Sequence, residues 1–137
     1  MSSSPEAEAH SVEALAEATT DANRLDQLLK REVARIVVDL HGNPHHGELM
    51  GDKPPRVLEG CRKVRFDEPG WKGKPRYRFV YRNEPSDGAP AKSVVIAIGR
   101  RDRMIAYAKA ARRVKEQAAL EGQSRLEPPS IQPLRPR

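Results

Sequence analysis

Basic residues recur at alternating positions in Arg62-Lys63-Val64-Arg65-Phe66, and again in Arg76-Tyr77-Arg78-Phe79-Val80-Tyr81-Arg82. A third set, Arg101 and Arg103, follows an apolar run and leads towards Tyr107. Alternation places residues i and i+2 on one face of a strand. Lys63 and Arg65 therefore share one face of the first strand, and Arg76, Arg78, Val80 and Arg82 share one face of the second. Neighbouring strands lie about 4.8 Å apart, so these cations repel one another in the free protein. An anion relieves that repulsion, and a phosphodiester flanked by guanidinium groups is the natural occupant. If the phosphodiester is RNA, the residue types present suffice to cut it. The ribose 2′-OH attacks its own 3′ phosphate in line. A lysine among other cations can take the proton, arginines can hold the phosphorane charge, and a tyrosine can stack on a base or donate a proton.

The charge distribution agrees with a concentrated polyanion-binding surface. Residues 1–55 hold 5 Lys and Arg against 10 Asp and Glu, a net of −5. Residues 56–115 hold 17 against 6, a net of +11, and the remainder is neutral. A basic half on an acidic half reads as one charged face, for which nucleic acid is the usual partner. The competing reading is a solvated basic face, with Asp67 or Asp102 pairing some of the arginines.

The elements that position these residues follow from periodicity. Val12 to Leu15 can form a short edge strand. From Thr20 an apolar stripe runs through Leu25, Leu28, Leu29, Val33, Ile36, Val37 and Leu40, either as one helix or as a helical hairpin bent near Gln27. Thr20 or Asp21 can cap its start, and Gly42-Asn43-Pro44 ends it. His45 to Pro55 reads as a loop. The period then changes to two for strands at Arg62–Phe66, Arg76–Arg82 and Ser93–Gly99, with Tyr77, Phe79 and Tyr81 facing the core. Val94-Val95-Ile96-Ala97-Ile98 is apolar on both faces and reads as the buried strand. Asp102 can cap a last helix carrying Met104, Ile105, Ala108, Ala111 and Val114 and closing near Gly122. The fold class is α+β: an N-terminal helical hairpin packed on a small, mainly antiparallel sheet, then a C-terminal helix, with the charges on the sheet's other face.

Residues 1–10 read as a disordered extension, 11–121 as the domain, and 122–137, with four prolines, as a disordered tail. With one cysteine, Cys61, the chain has no internal disulfide, which fits the cytoplasm. No apolar run approaches the roughly 20 residues that span a bilayer. His41, His45 and His46 sit on a helix break without a completing ligand, so neither metal nor cofactor is expected.

Three segments in order, Leu58 to Phe66, Arg76 to Tyr81 and Ala97 to Tyr107, resemble the RelE/ParE superfamily of bacterial type II toxins, with Asn43-Pro44 upstream also in keeping. The resemblance spans roughly Val12 to Lys115 and is strongest from Leu58 to Arg113. It implies a ribosome-dependent mRNA endonuclease that cuts the codon in the ribosomal A site. It also implies a cognate antitoxin partner in a toxin–antitoxin hetero-oligomer. By that resemblance Lys63 and Arg65 contribute the base and phosphate contacts, and Arg78 stabilises the transition state. Arg101 serves as acid or phosphate ligand, and Tyr107 stacks on the mRNA base. Arginine is a poor base because it stays protonated, which leaves Lys63 the better candidate. Arg62, Arg76, Arg82, Arg103 and Arg112 are candidate RNA or ribosome contacts. A gyrase-inhibiting toxin of the same superfamily and a non-catalytic RNA-binding module are the alternatives.

Overall fold

A computed structural model of the chain describes residues 10–51, 56–84 and 92–126. The expected disorder of residues 1–9 and of the proline-rich stretch 127–137 lies outside the described residues. The elements are β1 (Ser11–Ala14), α1 (Ala16–Asn23), α2 (Gln27–Gly42), β2 (Glu48–Leu49), β3 (Arg62–Phe66), β4 (Tyr77–Glu84), β5 (Lys92–Arg100) and α3 (Ile105–Leu126). Short 3-10 turns occupy Arg56–Leu58 and Asp102–Met104.

The hairpin reading is the correct one, with the break at Arg24–Asp26. The cap residue differs from the expected one. Asp26 caps α2, its carboxylate accepting from the Leu29 N–H at 3.1 Å, whereas Asp21 lies inside α1 and is buried. The apolar face of α2 is as expected: Leu29, Val33, Ile36 and Leu40, at spacings of four, three and four, are buried.

The sheet has five strands in the order β1-β5-β4-β3-β2. Pairs β2–β3, β3–β4 and β4–β5 are antiparallel, while β1 pairs with β5 in parallel. β2 forms within the stretch read as loop. Its two residues are too few to show a period, so the strand exists only because β3 offers it a ladder.

Both faces of the sheet are covered, which corrects the expectation of one apolar and one charged face. Phe79 and Tyr81 join Leu29, Val33, Ile36 and Leu40 in one core, with Tyr77 partly buried against it. Val80, Ile96 and Ala97 point the other way and join Leu58, Cys61, Tyr107 and Ala110 beneath α3. A register shift makes this possible: Val80 faces Ala97 but Tyr81 faces Val95, so Ile96 is the extra residue of a bulge.

The buried stripe of α3 is Ala106, Tyr107, Ala110 and Arg113, while Met104, Ile105 and Ala108 are exposed. The expected stripe was phased on the larger apolar residues, and alanine is the residue that lets this helix approach closely. Asp102 does not cap α3; its carboxylate accepts from Arg100 Nε at 2.8 Å, and the turn is made by Arg103 and Met104 at φ 55 and 58. Nor does the helix close at Gly122, since it continues to Leu126. None of the described helices is long and apolar enough to cross a membrane.

The loop after α2 is pinned by β4. Tyr81 Oη and Asn83 Nδ2 both donate to the Pro44 carbonyl, at 2.8 and 2.9 Å. The Gly47 N–H donates to Tyr81 Oη at 2.8 Å. A Cβ on Gly47 would lie 2.7 Å from the Tyr81 ring and 2.9 Å from the Lys63 carbonyl oxygen, so only glycine fits there.

A buried polar cluster joins α1, β5 and α3. β1 ends at Ala14, leaving the far half of β5 without a neighbour on that side. Asp21 accepts from the Ile98 N–H at 3.0 Å, Lys109 Nζ donates to the Ile98 carbonyl at 3.0 Å, and Arg113 Nη1 donates to the Ile96 carbonyl at 3.0 Å. The same three side chains pair with one another: Arg113 Nη1 meets Asp21 at 2.7 Å and Lys109 Nζ meets it at 3.1 Å. Burial by itself pushes the Asp21 carboxyl up. The bonds from Arg113, Ile98 and Lys109 outweigh that and hold it below its ordinary value. Asp21→Ala strands Lys109 against β5, leaves Arg113 only the half-exposed Glu17 at 3.4 Å, and should cost about 3–5 kcal/mol. A urea midpoint close to wild type would show that the cluster contributes little.

Candidate active site

The exposed part of the α3-covered face is a cleft of about 360 Å³ lined by Arg65, Lys74, Pro75, Arg78 and Arg101. Register places its walls. Arg65 on β3 stands directly opposite Arg78 on β4, and Arg78 stands opposite Gly99 on β5. Arg101 follows β5, and its N–H extends the ladder by donating to the Arg76 carbonyl at 2.8 Å. Four cations therefore line one concavity. Of these, Arg65 has a carboxylate partner among the described residues, Glu48 at 3.3 Å, in an exposed pair.

Arg78 is the buried member, at 6% exposure. Its Nη1 donates to the Pro75 and Tyr77 carbonyls at 3.0 and 2.9 Å, and its Nε donates to Tyr107 Oη at 3.1 Å. Nη2 carries no hydrogen bond among the described residues and is not sealed from solvent. The guanidinium is thus fixed on one side and offers donors on the other, the arrangement that suits an oxyanion.

Tyr107 reaches Arg78 because α3 sits close to β5. A Cβ on Gly99 would lie 3.0 Å from Lys109 Nζ and in ordinary contact, 3.7 Å, with the Ala106 Cα, so the Lys109 side chain would have to give way there. Tyr107 as a residue is 8% exposed and packs in the core beneath α3. Its hydroxyl, not an open ring face, is what it presents to the site. Lys63 lies alongside, half-buried, with Nζ 5.8 Å from the Tyr107 ring centroid.

The remaining candidates scatter. Arg62 points to the opposite face from Lys63 and donates to the Gly47 and His45 carbonyls at 2.7 and 3.4 Å. Arg76 is bound to Asp67 through two nitrogens, at 2.9 and 2.8 Å, and stacks on Trp71. Arg82 pairs with Glu84 at 2.9 Å, four residues along β4 from Arg78. Arg112 pairs with Glu17 at 3.4 Å on the far side of α3. Arg103 is exposed at the turn before α3. Cys61 is buried in the core beneath α3, and that burial pushes its thiol up, away from the reactive thiolate. His46 Nε2 stands 3.8 Å from Asp39.

Two site residues escaped the sequence reading. Lys74 lies in a turn-rich stretch, where no period marks a facing direction. Glu48 sits on β2, which the sequence does not announce.

Asp67 is the anchor of the β3–β4 connection. It also accepts from the Arg76 and Glu68 N–H groups, at 2.9 and 2.8 Å. The Arg76 guanidinium holds its carboxyl at about 2, well below the ordinary 3.8.

No family model and no curated protein matches the chain. Solved structures do match. A double arginine-to-alanine variant of the Escherichia coli toxin RelE in the free state aligns with a TM-score of 0.56 and 19% identity, over 77% of this chain and 97% of that one. The same toxin variant in complex with an antitoxin peptide aligns with a TM-score of 0.50 and 17% identity, over 74% and 94% of the two chains. The chain has a RelE-like fold, a mixed five-stranded sheet with three helices of which the last is C-terminal.

The depressed Asp67 carboxyl links folding to pH. Because the unfolded carboxyl protonates first, its contribution is complete above about pH 4 and is lost as pH falls from 3.8 towards 2. Wild type should lose about 1–2 kcal/mol through that window from this residue. Asp67→Asn should be less stable than wild type at neutral pH, and the gap should narrow at about pH 3. Parallel urea profiles at both pH values would contradict this.

Proposed function

We propose that the chain is the toxin of a type II toxin–antitoxin pair, a ribosome-dependent mRNA endonuclease that blocks translation. The observation that carries this reading is the cationic cleft. Arg78 is held rigid by two carbonyls and Tyr107, Arg65, Lys74 and Arg101 surround it, and the whole sits on a RelE-like fold.

The chemistry uses the substrate's own nucleophile. The 2′-oxygen attacks phosphorus and forms a new O–P bond, the bond to the 5′-oxygen breaks, and the products are a 2′,3′-cyclic phosphate and a 5′-hydroxyl. Charge develops on the non-bridging oxygens, where Arg78 Nη2 and the Arg65 and Arg101 guanidiniums supply donors. Lys63, beside Tyr107, is the group assigned to accept the 2′-OH proton, and Arg101 or a water it orients delivers the proton to the leaving oxygen. Tyr107 acts through Arg78, as a positioning residue.

The partners follow from the same reading. The mRNA in the ribosomal A site is the substrate, and a cognate antitoxin restrains the toxin in the cytoplasm. One of the RelE-like structures is a complex with an antitoxin peptide, which supports that partner.

Primer extension on a reporter mRNA in a cell-free translation system tests the assignment. Wild type should produce cuts within codons that require translating ribosomes. Arg78→Ala should lower their rate by about 100- to 1000-fold, as loss of a transition-state donor does. Tyr107→Phe, which removes one bond to Arg78, should act in the same direction but less. Intact mRNA and unimpaired translation would remove the nuclease reading and leave the gyrase-inhibiting alternative.

A further inference from the structure

The β3–β4 connection carries an aromatic surface that the cleavage chemistry does not use. Trp71 is the sole tryptophan of the chain and is 40% exposed. It is not a loose surface ring. The Arg76 guanidinium carbon lies 3.5 Å from the ring centroid, stacked on one face. Arg76 is itself immobilised by Asp67 through its Nε and Nη2. The indole Nε1 donates to the Lys74 carbonyl at 3.2 Å, and a Cβ on Gly73 would stand 3.3 Å from that nitrogen, so the ring lies against a residue without a side chain. Arg76 on one face and Lys74 at the Nε1 edge thus hold the ring in place while the residue keeps substantial exposure.

That edge is bonded to the wall of the cleft, since Lys74 and Pro75 are lining residues. The stacked ring and the phosphate-binding cations are therefore built on one short stretch of backbone. Tyr107 does not offer an open stacking face, because the residue is buried beneath α3. We infer that Trp71 is the stacking platform for an unpaired nucleobase of the RNA strand whose phosphate enters the Arg65–Arg78–Arg101 cleft. A π-face held flat by a clamped guanidinium, with Lys74 beside it, matches how proteins hold single-stranded bases. The cationic surroundings favour a nucleotide over an apolar segment of a protein. This inference rests on the RNA-cleaving reading of the cleft.

Because Trp71 is the sole tryptophan, its fluorescence reports this site alone. The full chain is titrated with a short single-stranded RNA blocked by 2′-O-methyl groups, and separately with an abasic strand of the same length and salt. Binding is followed independently by the anisotropy of a label on the RNA. The base-bearing strand should quench Trp71 saturably and the abasic strand should not. Trp71→Ala should bind the base-bearing strand roughly 5- to 100-fold more weakly, as loss of one stacked base does. Trp71→Phe should retain most of the affinity, and the abasic strand should bind wild type and Trp71→Ala alike. RNA that binds, and is lost with Arg78→Ala, yet leaves the fluorescence unchanged would overturn the platform while sparing the cleft. No RNA binding by wild type would overturn both. Quenching by an acidic peptide but not by RNA would reassign the ring to a protein partner. The wild-type titration decides the matter even if Trp71→Ala does not fold.

Discussion

β5 is nine residues long and its outer neighbour β1 only four. A strand left half open in that way exposes backbone groups that must find partners or water. Here they find side chains. Asp21 takes the Ile98 N–H, while Lys109 and Arg113 take the Ile98 and Ile96 carbonyls. Asp21 is shared by both cations within hydrogen-bond distance, and Glu17 stands 3.4 Å from Arg113 Nε as a second carboxylate, which makes their burial tolerable. The consequence reaches the site. Lys109 and Arg113 are on α3, so satisfying the edge of β5 sets where that helix lies. Its position puts Tyr107 against Arg78 and brings the cleft's buried guanidinium to a fixed place.

The basic half of the chain is then sorted by which cations meet a carboxylate. Arg76 has Asp67, Arg82 has Glu84, Arg100 has Asp102 and Arg112 has Glu17. Arg78, Lys74 and Arg101 line the cleft without such a partner among the described residues. Arg65, with its exposed Glu48, stands between the two groups. Unpaired cations held close together favour an incoming polyanion, because each attraction is gained without first breaking an ion pair. Arg76 illustrates the other use of charge. Clamped by Asp67, it supports the Trp71 ring instead of reaching for a phosphate.

The helical hairpin, the three long strands and the core-facing Phe79 and Tyr81 were legible because each rests on a period, and a period survives whatever the element packs against. Lys63, Arg65 and Arg78 were placed on one face for the same reason. The phase of α3 was not legible: its packed face is made of Ala106, Ala110, a tyrosine and an arginine, and hydrophobicity points instead to Met104 and Ile105, which are exposed. Asp21 read as a helix cap, and Arg113 had no assigned role, for want of any sign that a strand edge awaited them. The functional set mixed both kinds of residue, so Arg62, Arg76 and Arg82 looked equivalent to Arg78 until their partners were seen.

By itself, then, the sequence determined the α+β class, the strand faces and the concentration of positive charge in residues 56–115, since these follow from local spacing and composition. Tertiary structure alone decided which cations stay unpaired and that both faces of the sheet are covered. It also decided that Tyr107 turns its hydroxyl, not its ring, to the site. Those outcomes depend on contacts between residues far apart in the chain, such as Arg78 with Tyr107 and Asp21 with Arg113. An ion pair or a buried ring is a property of two surfaces meeting, and no window of sequence contains both.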